Sequence, residues 1–105
     1  MSQYITVDMY NMGVAIITSD ADKKAIGIDE YTLGMAGYDE GNNSFYMVLP
    51  KKWDEFTVFH ECHHMARFIN EYYGVKTSAG DHEADAYLME ALARKVKTEI
   101  YKRKL

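Results

Sequence analysis

The chain has 105 residues, a net charge of −4, 48% hydrophobic and 27% charged residues, one Pro and one Cys. That length holds one core, so residues 1–105 are read as a single domain, and the apolar content excludes a disordered chain. One Cys excludes an internal disulfide framework, no run approaches the ~20 apolar residues of a membrane span, and MSQYITVDMY lacks the regions of a signal peptide.

The expected setting is therefore the cytoplasm, with no membrane partner. From Arg94 onward six Lys or Arg face one Glu, so the negative charge sits in the body of the chain. Cations suit the negative end of a helix dipole, and nucleic acid is not an expected partner.

Residues 4–9 alternate polar with apolar side chains, the period of a half-buried strand, and residues 14–18 read as a second strand. Asn11-Met12-Gly13 supplies turn chemistry between them, which predicts a hairpin. The following SDADKK lacks the Gly and final Glu of a calcium loop and reads as a solvated loop. Residues 31–38 (YTLGMAGY) and 44–49 (SFYMVL), joined by DEGNN, predict a second hairpin in which Gly34 and Gly37 mark a bulge or a close backbone approach. Strands precede helices, so the predicted fold is α+β: a small antiparallel sheet of N-terminal hairpins followed by two helices.

Residues 53–73 (WDEFTVFHECHHMARFINEYY) predict the first of these helices. At 100° per residue Val58, Cys62, Met65, Ile69, Tyr72 and Tyr73 share one arc, with Phe59, Ala66 and Phe68 at its edges. Gly74 is a C-terminal stop and Pro50 marks the entry. His60 and His64 fall on the opposite face in the spacing H-E-x-x-H, which stands two imidazoles one above the other, able to reach one metal ion. Imidazole suits Zn²⁺, and a catalytic zinc holds three protein ligands and a water whose pKa falls to about 7. Glu61, beside the first ligand, is placed to take a proton from that water as general base. His63 points away from the pair and reads as an exposed histidine. Cys62 reads as a small buried hydrophobe.

Beyond Gly74, Ser78 with Asp81 three residues on resembles a capping box opening a second helix. Leu88, Met89, Leu92, Val96 and Ile100 form its apolar arc, and Asp81 and Asp85 project within that arc while Glu83 points elsewhere. Acids in an apolar arc need partners. Asp81 is the better third metal ligand, with helix capping as its alternative. Asp85, one turn later, is placed to hydrogen-bond the far nitrogen of a liganding histidine, with an ion pair to Lys or Arg as its alternative.

The stretch from about Gly37 to Lys95, with GYDEGNNSFYMVL, HECHH and DHEADAYLMEAL, resembles the ImmA/IrrE-type metallopeptidases, small gluzincin-like proteins common in phages, mobile elements and bacteria. The resemblance implies a minimal zincin-like domain with one zinc per chain on His60, His64 and Asp81, Glu61 as base and Asp85 supporting the site. The family usually has Glu where this chain has Asp81, which leaves His82 or Glu83 as alternative ligands. It also implies that an extended peptide adds a strand beside the sheet, with residues 44–49 or their partner strand as the edge. The expected activity is zinc-dependent hydrolysis of peptide bonds in a protein or peptide substrate. The alternative is a zinc-binding interaction or regulatory module in which Glu61 is dispensable.

Overall fold

A computed structural model describes residues 3–41, 43–74 and 82–105, His82 by its backbone alone. Strands β1 (Gln3–Val7) and β2 (Met12–Ile17) pair antiparallel, with Ile5 opposite Val14. A 3₁₀ turn, Asp8–Tyr10, joins them and closes on Asn11 at φ 50, a left-handed conformation that Asn adopts with little strain. Strands β3 (Met35–Asp39) and β4 (Ser44–Val48) form the second predicted hairpin. Its first strand is shorter than expected, because residues 31–34 run toward the sheet without joining the ladder.

The sheet is mixed, a correction to the purely antiparallel one expected. Strand β4 lies parallel to β2, Val14 beside Phe45, and the order is β1-β2-β4-β3. Burial explains the choice. Val14, Ile16, Ile17, Met47 and Val48 make β2 and β4 the most apolar strands, so each hairpin turns its apolar strand to the centre of the sheet. The long crossover from β2 to the second hairpin then lets the two central strands run the same way.

That crossover contains a helix, α1 (Asp20–Ala25), where a loop was expected. Ser19 caps it by accepting from the Asp22 backbone N–H at 3.1 Å, and Asp20, Asp22, Lys23 and Lys24 complement its dipole at the two ends. Buried Lys23 donates to the Glu30 carbonyl at 3.0 Å, and Lys51 pairs with Asp20 at 3.0 Å, so the segment before β3 is held at several points.

Helix α2 (Glu55–Tyr72) lays Val58, Cys62, Met65, Ala66 and Ile69 onto Ile5, Val7, Val14, Ile16, Phe45 and Met47 of the sheet. Each large side chain so buried contributes roughly 1.5–3 kcal/mol of transfer free energy. Gly74, at φ 82, ends the helix by donating its N–H to the Glu71 carbonyl at 3.0 Å. Helix α3 (His82–Lys95) and a π-helical turn (Val96–Ile100) complete the core with Leu88, Leu92, Ala93 and Val96. The predicted Ser78–Asp81 capping box lies outside the described residues.

The basic end of the chain folds back on the entry to α2. Tyr101 packs edge-on against Trp53 at 5.4 Å and donates to the Pro50 carbonyl, while Lys97 and Arg103 lie over the Trp53 ring at 5.8 and 5.6 Å. Among the described residues no helix is long and apolar enough to cross a membrane.

Candidate metal centre

Helical spacing brings His60 and His64 together on the solvent side of α2, and their Nε2 atoms converge to 3.2 Å. The ring planes stand at 80°, and the contact itself has hydrogen-bond geometry, one Nε2–H facing the other ring's nitrogen. Two nitrogens at about 2.0–2.1 Å from a tetrahedral Zn²⁺ are about 3.3 Å apart, so the observed separation fits two ligands on one zinc. The Phe68 ring lies 6.4 Å from the His64 ring, nearly parallel to it. His63 is exposed and makes only an edge contact with His64 at 5.9 Å, as its place on the helix predicts.

Glu61 lies one step round the helix and is only 7% exposed. Its carboxylate is overlaid by the backbone at Gly34, where an added Cβ would stand 2.7 Å from Glu61 Oε2. The close approach expected of a strand glycine therefore falls on the proposed base. Cys62 faces the core, and burial pushes its thiol up to about 12, which suits a packing residue and not a ligand.

Asp81 lies outside the described residues, as does the side chain of His82. Glu83 is exposed on the first turn of α3. Among the described residues no group of three or more His, Cys, Asp or Glu side chains is placed to share one ion.

Asp85 is buried, but its carboxylate is engaged away from the histidines. Oδ2 accepts from Arg67 Nη1 at 2.8 Å and Oδ1 accepts from Asn70 Nδ2 at 2.7 Å. The predicted bond to a liganding histidine is thus replaced by an ion pair, because Arg67 and Asn70 are the α2 side chains that lie across from it. Tyr10 extends the network by donating to Asn70 Oδ1 at 2.7 Å and stacking on Tyr73 at 4.2 Å. Arg67 also approaches Glu71 at 3.2 Å. Sequence reading missed Arg67, Asn70 and Tyr10. A basic residue and an amide at the edge of the α2 arc, facing an acid in the α3 arc, were the signal available.

Residue by residue, His60 and His64 come together on α2, Glu61 lies under Gly34, Asp85 belongs to a network one turn further along α2, and Asp81 is undescribed. Among the described residues β3 is an edge of the sheet and β4 is interior, so of the two strands considered as the edge β3 holds that place. No protein-family model, curated protein or solved structure matches this chain. The functional reading therefore rests on the site itself.

Proposed function

We propose that the chain is a zinc-dependent peptidase of zincin-like arrangement acting on a protein or peptide. The observation that carries this reading is the 3.2 Å convergence of His60 and His64 Nε2 beside a buried glutamate. His60 and His64 hold the ion, and Asp81 is the proposed third ligand, with His82 and Glu83 as the alternatives. Bound there, zinc supplies a Lewis acid for the scissile carbonyl and lowers the pKa of a water to about 7.

The chain's own residues do the rest. Glu61 accepts a proton from the attacking water and delivers it to the amide nitrogen as the C–N bond breaks. Its burial restricts the carboxylate to few orientations, so little reorganisation is needed when the proton moves. Strand β3, at the edge of the sheet and packed beside the helix that carries the histidines, is where an extended substrate would add a strand.

Glu61→Gln tests the reading, because it keeps the shape of the side chain and removes its basicity. The variant should fold, bind one zinc per chain and lose about 10² to 10⁴-fold in hydrolysis of a peptide library. Equal cleavage by wild type and variant would exclude Glu61 as base. Zinc binding without cleavage by either would establish the non-catalytic zinc module in its place.

A further inference from the structure

Residues 32–34 lead from a turn closed by the Thr32 N–H on the Asp29 carbonyl into β3, and exposure alternates along them: Tyr31, Leu33 and Met35 are exposed, whereas Thr32 and Gly34 are half-buried. The inward side at position 34 meets α2. A Cβ built there would lie 2.7 Å from Glu61 Oε2, 3.1 Å from Glu61 Cγ and 2.8 Å from Thr57 Cγ2. The backbone at Gly34 does not take a positive φ, unlike Gly27 and Gly74. Conformation does not require glycine at this position, but space does.

The three contacts differ in how they can yield. Thr57 is β-branched within a helix and its hydroxyl donates to Asp54 Oδ2 at 2.6 Å, so its methyl has little freedom to withdraw. The Glu61 carboxylate ends a longer, more flexible side chain. Moving the carboxylate alone leaves the Thr57 methyl in the way, so a side chain at 34 lifts the segment before β3 off α2 and loosens its hold on that carboxylate, the group whose position proton transfer depends on. We infer that Gly34 is a positioning residue: by lacking a side chain it lets the segment before β3 lie flat on Glu61 and fixes the carboxylate's place. The inference rests on the peptidase reading of Glu61.

The test is Gly34→Ala, the smallest change that adds the Cβ, measured in the full chain. Zinc content should stay at one per chain, since His60 and His64 are untouched, while kcat on a cleaved peptide falls about tenfold or more with KM nearly unchanged. A second readout needs no activity. With and without added zinc, Gly34→Ala should lower Tm by roughly 4 °C or more in the parent chain and by little in a Thr57→Ser, Glu61→Ala background that makes room for the methyl. An equal loss of Tm in both backgrounds, or an unchanged kcat, would overturn the inference. Should Gly34→Ala not fold, recovery of folding in the trimmed background supports the inference and persistent misfolding overturns it. Failure of the peptidase reading shows separately, as wild-type hydrolysis by Glu61→Gln.

Discussion

Asn70 is the joint through which the first hairpin, α2 and α3 are tied, and its removal has a calculable cost. The residue is fully buried, its Oδ1 accepting from the Tyr10 hydroxyl and its Nδ2 donating to Asp85 Oδ1, both at 2.7 Å. Asn70→Ala deletes both bonds and takes a donor from a buried carboxylate. The bond to Asp85 involves a charged acceptor and contributes about 1.5–3 kcal/mol, and the neutral bond to Tyr10 about 1 kcal/mol. The total, about 3 kcal/mol, corresponds to a fall in Tm of about 12 °C at ~4 °C per kcal/mol. Tyr10→Phe removes only the neutral bond and should cost about 4 °C. Thermal unfolding followed by circular dichroism measures both. The Asp85–Arg67 pair is largely shielded from solvent, so moderate salt should change the difference little. The reasoning fails if Asn70→Ala costs no more than Tyr10→Phe.

Zinc titration should give one ion per wild-type chain, and His60→Ala or His64→Ala should abolish most of that binding, measured by calorimetry with elemental analysis. Asp81→Ala should weaken zinc more than Glu83→Ala does, whereas Asp85→Ala should mainly lower Tm, because its partners are Arg67 and Asn70. Burial, then nearby Asp54 and Cys62, pushes the Tyr101 phenol up to about 12. The unfolded chain ionises first, so stability is intact below pH ~10 and declines toward pH ~12. Urea unfolding across that range should show a shallower decline for Tyr101→Phe. Tyr101→Ala should also shift the fluorescence of Trp53, the sole tryptophan, by uncovering one edge of its ring.

Local patterns carried most of what the sequence revealed. Both hairpins follow from alternation around turn residues, and the core stripe of α2 follows from the spacing of Val58, Cys62, Met65 and Ile69. The H-E-x-x-H spacing likewise brought His60 and His64 together, since four residues make about one turn. The parallel pairing of β2 with β4 was not legible, because no local signal states which hairpin strand will be central. Helix α1 was legible but misread: Ser19 followed by acids and then lysines is a cap and a dipole pattern, outweighed by polarity in the reading. Tyr72 and Tyr73 sit in the apolar arc by angle yet stay 57% and 43% exposed, packing on one side only, Tyr72 against Tyr38 and Phe45 and Tyr73 against Tyr10. Asp85 shows the limit of wheel geometry. An arc tells which way a carboxylate leaves its own helix, but the partner is chosen by the side chains the facing helix presents.

The central β2–β4 ladder has a kinetic meaning as well. Each hairpin pairs residues close in sequence and can form on a microsecond scale, but Val14 meets Phe45 only after about 30 residues of chain have been closed into a loop. That closure costs entropy before its contacts return anything, so docking of one hairpin on the other is expected to limit the folding rate. Truncations such as Ile16→Val and Met47→Ala, on either side of the central ladder, should then slow folding, while truncations near the Trp53–Tyr101 contact mainly hasten unfolding. The strand order places the apolar strands at the middle of the sheet and makes their meeting the slow event in the chain's assembly.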